Sequence, residues 1–344
     1  MIFAKILLYP FSLSYGLIVI LRNLFFDIGF FKTHKVKVPV ISVGNLTAGG
    51  TGKTPIVEFF TDYLLRQNKK VAVVSRGYKR STKGTLVVSD GKLLVQNASE
   101  CGDEPYQIAL KYPNATVIVD EDKYRSAKLA AEKYGCDIIL VDDGFQHRKL
   151  HRDLDIVVVD VTRPPFEENL LPAGLRREPL SALKRADAII FSRWNEEIKF
   201  DYDVFASVPL NAKVKFRPSR LISFETGETH QLDSAVGKKC TAFCGLGNPD
   251  SFTQTLKELS LEAITNREFP DHYSYKITDI NLIKREFTEN KSDLIITSEK
   301  DAMRLLRYKN ELRDLPVFYI EIVTQFIEGE KQILEKINKL TIKE

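Results

Sequence analysis

The chain is short of the features that mark specialised proteins. It has four cysteines, at 101, 136, 240 and 244, with neither the C-x2-C pairs of a zinc site nor the density of a disulfide scaffold, so the thiols are expected to be reduced and mostly buried. Lys and Arg outnumber Asp and Glu only 50 to 46, too slight an excess to mark a nucleic-acid binder, and no nucleic-acid partner is expected. The uncharged run ILLYPFSLSYGLIVIL between Lys5 and Arg22 holds 16 residues, fewer than the roughly 20 of a spanning helix. Pro10, Gly16 and two serines interrupt it, and no transmembrane span, internal repeat or low-complexity tract is evident. The guanine-reading signature Asn-Lys-x-Asp is also missing; TSEKDA, from Thr297 to Ala302, matches it only loosely.

What is present begins at Val40. VISVGNLTAGGTGKTPI runs from a β-branched strand into a glycine turn and opens a helix. Thr47, Ala48, Gly49, Gly50, Thr51, Gly52, Lys53 and Thr54 form a phosphate-binding loop. Glycines let backbone N–H groups converge on an anion, the helix contributes its positive end, Lys53 a mobile charge and Thr54 a hydroxyl for Mg²⁺. Thr47 stands where the strict pattern has glycine.

Around that loop, apolar runs at 38–43, 71–75, 116–120, 138–142, 155–160 and 188–192 alternate with helical patterns. The fold class is therefore α/β, a P-loop NTPase-type doubly wound parallel sheet. With 344 residues there is room for two domains: an N-terminal segment at 1–35, a core at 36–210, an extended connector at 211–226 and a smaller α/β domain at 227–344. TLVVSDGKLLVQ reads as a hairpin about Asp90-Gly91. The N-terminal segment, with Arg22, Lys32, Lys35 and Lys37 on its flanks, suits an amphipathic element lying in a membrane interface, although apolar helices more often pack inward.

Carboxylates appear where such a sheet does chemistry. The run from Ile138 to Val141 delivers Asp142 and Asp143 to the carboxyl end of a buried strand, the place of a Mg²⁺-binding acid opposite a phosphate loop. Asp103 and Glu104 open a helix, a position that capping and dipole compensation would also explain. Arg76 and Tyr78 follow another strand at the ligand edge. Nucleotide binding is thus expected, but these motifs leave the phosphoryl acceptor open.

GNLTAGGTGKTP, SRGYKR, GDEP, VDDGFQHRKL, LPAG followed by RREPL, FCGLGNP and FPDHYSY, in this order from residue 44 to 275, resemble the tetraacyldisaccharide 4'-kinase family of lipid A biosynthesis. Thr47 is itself how that family's loop reads. The resemblance implies ATP-dependent phosphorylation of the 4'-hydroxyl of a tetraacylated glucosamine disaccharide 1-phosphate, by a monomer with Mg²⁺ as cofactor, at the cytoplasmic face of the bacterial inner membrane. It implies Asp103 as the catalytic base or hydroxyl-orienting acid, assisted by His272. It also implies Lys53 on the β- and γ-phosphates and Thr54 with Asp142 or Asp143 on the metal. Gln146 and Glu178 are expected near the metal or its waters, and Arg76, Tyr78, His147 and Arg177 on phosphate or disaccharide. The doubled arginine leaves Arg176 and Arg177 both open. The competing expectations are a P-loop GTPase or metallocentre-assembly ATPase that hydrolyses nucleotide without a lipid acceptor, and a non-catalytic membrane-attached nucleotide sensor.

Overall fold

A computed structural model describes residues 2–342 apart from 96 and 199. A 26-residue helix, α1 (Ile2–Asp27), leads into β1 (Val40–Gly44), α2 (Lys53–Arg66), β2 (Val71–Ser75), β3 (Leu86–Asp90), the short α3 (Ala98–Cys101), α4 (Asp103–Lys111), β4 (Thr116–Val119), α5 (Lys123–Glu132), β5 (Ile138–Asp142), β6 (Leu154–Asp160) and β7 (Ala188–Ser192). The second half comprises β8 (Leu210–Ser223), β9 (Thr229–His230), β10 (Lys239–Cys244), α6 (Pro249–Glu258), β11 (Glu262–Glu268), α7 (Ile277–Glu289), β12 (Leu294–Ser298), α8 (Glu299–Leu305), β13 (Val317–Glu328) and α9 (Glu330–Thr341).

The six expected parallel strands are all present. Every residue of β1, β2, β5, β6 and β7 is buried, which is why they read as near-continuous apolar runs: helices cover both faces of a parallel sheet. The strands lie in the order β11-β10-β12-β13-β8-β7-β6-β1-β5-β2-β4-β3. β1 sits between β5 and β6 and pairs in parallel with both, Val43 opposite Asp142 on one side and Ile156 on the other. The chain leaves β1 and β5 at one level of the carboxyl edge, so the glycine loop and the paired acids emerge side by side. The hairpin about Asp90-Gly91 is also present but short: β3 pairs antiparallel with β4, and the return arm is held by Leu94 N–H on the Val88 carbonyl.

Two expectations need correction. The stretch 211–226 is extended as expected, but it is no free connector. β8 pairs in parallel with β7 through Leu210–Lys213 and antiparallel with β13 over most of its 14 residues, fusing both halves into one sheet. One apolar cluster accordingly runs from Ile41 and Phe60 through Phe243 and Tyr275 to Ile337. The N-terminal stretch, expected to be interrupted, is continuous through Pro10 and Gly16. Gly16 lies against the 170s loop, where an added Cβ would meet Leu170 Cδ1 at 2.8 Å, and Ser12 donates to the Leu170 carbonyl at 2.8 Å and accepts from Ala173 N–H. Tertiary anchoring overrides local propensity here. All four cysteines are free and buried, as expected, and burial pushes the Cys240 thiol up to about 12.

Candidate active site

Two constraints meet at one glycine of the loop. Gly52 sits in the left-handed region at φ 84°, and a Cβ there would meet the Phe216 ring of β8 at 2.2 Å. Glycine is the residue that accepts both constraints. No side chain caps α2, so its first-turn amides, beside Lys53 and the buried Thr54, stay available to an anion. The loop is braced from outside: Thr47 bridges Arg176, Ala48 N–H donates to the Leu175 carbonyl, Asn45 donates to Thr51 Oγ1 at 3.0 Å, and Arg193 donates to the Gly50 carbonyl at 3.0 Å.

Asp142 and Asp143 separate in character although adjacent. Asp142 is 3 % exposed; Ser75 donates to its Oδ2 at 3.2 Å, while Oδ1 is buried without a partner. Burial raises this carboxyl to about 6, and the charge of Glu104 adds to the effect. A buried carboxylate oxygen left unpaired, at the strand end beside Lys53 and Thr54, is a donor set that suits a hard divalent cation. Asp143, at φ 53°, turns away to accept two bonds from Arg177, at 2.9 and 2.8 Å, with Lys53 at 3.5 Å. Burial opposes its ionisation, but Lys53 and Arg177 together hold it well below the usual carboxylate range. Arg177, rather than Arg176, is the arginine that joins the site.

Asp103 opens α4. Its Oδ2 accepts from Arg304 Nε at 2.7 Å and lies 3.1 Å from His272 Nδ1. Burial would raise its pKa, yet the His272 hydrogen bond and the Arg304 charge outweigh it and keep the carboxyl anionic. The Tyr78 ring meets His272 edge-on at 5.0 Å. Next along α4, Glu104 pairs with Lys300 of α8. Burial works against the Glu104 anion, but Lys300 and then Lys53 more than offset it. Through that field the helix carrying Asp103 and the glycine loop share one electrostatic site.

Other expected residues fall at its edge or outside it. Gln146 is close to the loop, donating to the Asn45 carbonyl at 2.9 Å. Arg76 is exposed at the end of β2. His147 lines a cavity of about 380 Å³ with Lys123 and Tyr124; burial and then the Lys123 charge lower its pKa to about 3, so it is a neutral imidazole with no charge to offer a phosphate. Glu178, expected near the metal or its waters, is engaged elsewhere in this structure. Fully buried, it accepts from Asn23 at 2.7 Å and from Arg185 at 3.0 Å, which occupies its carboxylate in tying α1 to the 170s loop.

Three residues of the site were not singled out from the sequence. Arg304 and Lys300 lie 201 and 196 positions from their partners Asp103 and Glu104. Lys123 is buried under the acids and donates to the carbonyls of Asp142 and Asp143; burial lowers its pKa to about 8. A helical Asp301–Arg304 spacing directly after a buried strand was the available hint.

A model of the family described as tetraacyldisaccharide-1-P 4'-kinase matches residues 4–341. A protein of Aquifex aeolicus named tetraacyldisaccharide 4'-kinase is 39% identical over 303 residues, 88% of this chain and 90% of the relative. One of Halothermothrix orenii with the same name is 36% identical, covering 97% of this chain and 93% of the relative. The crystal structure of LpxK from Aquifex aeolicus in complex with ATP superimposes with a TM-score of 0.83 at 36% identity, covering 98% of this chain and 100% of that one. Motif order, site geometry and full-length likeness agree: the chain belongs to the tetraacyldisaccharide 4'-kinase family.

Proposed function

We propose that this chain transfers the terminal phosphoryl group of ATP to the 4'-hydroxyl of a tetraacylated glucosamine disaccharide 1-phosphate, giving the 1,4'-bisphosphate. The observation that carries the reading is the pairing of two half-sites: an uncapped helix start with Lys53 on one side, and an anionic, doubly held Asp103 on the other. The α2 amides and Lys53 bind the phosphates. Asp143, locked to Arg177, fixes the direction of Lys53. Thr54 and Asp142 are the residues that would hold Mg²⁺, which when bound neutralises phosphate charge. Asp103 accepts the acceptor hydroxyl's hydrogen bond and aims its oxygen at the phosphorus. As that O–P bond forms and the bond to the ADP oxygen breaks, the proton passes to Asp103. A carboxyl held this acidic is a poor base for a neutral alcohol early on, which suits a transition state in which phosphoryl transfer demands little proton removal until late.

The acceptor's acyl chains call for an apolar surface, and α1 offers one. Ser12, Gly16, Val19 and Asn23, spaced 4, 3 and 4 apart, form its protein-facing stripe, and Tyr15 donates to the Arg177 carbonyl at 2.9 Å. Leu7, Phe11, Leu17 and Ile18 are 59–74% exposed on the other faces. A helix with its polar residues inward and its apolar ones outward is inverted relative to a water-facing helix. By length and composition the stretch Ile6–Asp27 is apolar enough to cross a membrane. We place the enzyme, as a monomer, on the cytoplasmic face of the inner membrane through this helix.

Purified full-length protein given γ-labelled ATP and the tetraacyldisaccharide 1-phosphate in micelles should put label on the lipid. Nucleotide turnover indifferent to the acceptor, with unlabelled lipid, would instead support an ATPase that drives a partner. For the membrane placement, Leu17→Asp with Ile18→Asp should weaken flotation with anionic vesicles at unchanged ATP affinity; wild-type flotation would remove it.

A further inference from the structure

We propose that Arg304 is the positioning residue for Asp103: it pins one carboxylate oxygen so that the other is presented to the acceptor hydroxyl. This rests on the reading of Asp103 given above. Among the described residues, both hydrogen bonds to the Asp103 side chain fall on Oδ2, from Arg304 Nε at 2.7 Å and at His272 Nδ1 at 3.1 Å. Oδ1 makes neither of these bonds, which leaves it for the acceptor hydroxyl.

The guanidinium is itself immobilised, since its side chain is only 7 % exposed. Its Nη1 donates to Asp301 Oδ1 at 2.8 Å and to the Gly245 carbonyl at 2.9 Å. Asp301, fully buried, also accepts from Tyr275 at 2.8 Å, from Ser298 at 2.5 Å and from Gly245 N–H at 2.9 Å. Tyr275 is fully buried as well. Each donor and acceptor in this chain has a fixed partner, and a planar fork divided between two carboxylates transmits direction in a way a point charge cannot. Arg304 Nη2 also lies 3.4 Å from His272 Nδ1, a nitrogen that donates to Asp103 when protonated and can accept from Arg304 only when it is not.

The charged and titratable groups that act on Asp103 come from several elements: His272 from the turn after β11, Arg304 and Lys300 from α8, Cys101 from α3 and Glu104 from its own helix, while Asp271 and Tyr78 contact His272 and Asp301 contacts Arg304. Of these, Arg304 and His272 hold the carboxyl anionic against its burial. Loss of the guanidinium should therefore release Asp103 toward a higher pKa as well as a looser orientation.

The test is kinetic, on the full chain with ATP and the lipid acceptor. Arg304→Gln should lower kcat by roughly 100-fold, as a small misplacement of a reacting group does, leave KM for ATP unchanged and move the acidic limb of the kcat/KM profile to higher pH. Arg304→Lys should keep that limb near its original position, because the charge stays, yet still lose at least about tenfold in kcat, because the fork is gone. A merely structural residue would reduce the amount of folded enzyme without moving the limb. If Arg304→Gln fails to fold, Arg304→Lys decides alone: kcat at the wild-type level overturns the proposal. If Arg304→Gln folds and leaves both kcat and the limb in place, the proposal is equally lost. Asp103→Asn separates the two readings. Wild-type transfer by Asp103→Asn would discard the role of Asp103 itself, whereas transfer abolished by Asp103→Asn with Arg304→Gln fully active would discard only the inference about Arg304.

Discussion

Gly52→Ala probes the nucleotide loop where the structure constrains it hardest. The backbone there has φ 84°, and the new methyl would lie 2.2 Å from the Phe216 ring. An L-residue held left-handed costs about 1–2 kcal/mol, and displacing a packed ring about 1–3 kcal/mol. The sum is about 2–5 kcal/mol. With an unfolding entropy of about 2.1 cal/mol/K per residue near 60 °C, a chain of 344 residues should lose about 3–7 °C in Tm. If the strained loop gives up one charge-assisted bond to phosphate, ATP affinity falls roughly 10- to 150-fold. Calorimetric unfolding and titration with ATP read the two effects. The steric part belongs to one ring, so Gly52→Ala combined with Phe216→Ala should be about 1–3 kcal/mol less destabilised than the sum of the single variants. Wild-type Tm and ATP affinity in Gly52→Ala, or strict additivity in the cycle, would refute the account of the loop.

Three further outcomes follow from other parts of the structure. Asp142→Asn should lower metal-dependent transfer by about 10²–10³-fold while binding of metal-free ATP, followed by fluorescence, persists. Glu178→Ala removes a buried partner from Arg185 and Arg22 and should destabilise the protein by about 3–5 kcal/mol in denaturant unfolding; if these ion pairs are its role, Mg²⁺ dependence of transfer is unchanged, and a shifted Mg²⁺ dependence would return Glu178 to the metal. Burial pushes the Glu299 carboxyl up from 4.5 to about 8, the Glu58 charge adding and Lys111 opposing; the folded state thus holds that proton more tightly than the unfolded chain. The resulting stability is full below about pH 4.5 and is lost as pH rises through about 8, so Glu299→Gln should flatten the decline of Tm between those values.

The parallel sheet was legible because its strands are buried on both faces, a condition that writes itself into contiguous Val and Ile. The glycine loop and the Asp142–Asp143 strand end were legible for a related reason: phosphate chemistry at a sheet edge is local in sequence. Non-local facts were not. Pro10 and Gly16 look like breaks until the 170s loop that anchors α1 is known, and β8 reads as a linker until β7 and β13 are found on its two sides. Glu178 sits beside Arg177, which does join the site, and only the fold shows that its carboxylate points to Asn23 and Arg185. Arg304 reaches Asp103 from the other half of the chain, so no pattern near either residue announces the pair.

The most direct test is a crystal structure with a non-hydrolysable ATP analogue, Mg²⁺ and the disaccharide acceptor, in which the position of Asp103 relative to the terminal phosphorus is measured. The account predicts the triphosphate on the loop closing at Lys53, and the 4'-hydroxyl within about 2.6–3.2 Å of Asp103 Oδ1, in line with that phosphorus. Asp103 facing away from the acceptor, or a triphosphate bound elsewhere than at Lys53, would contradict it.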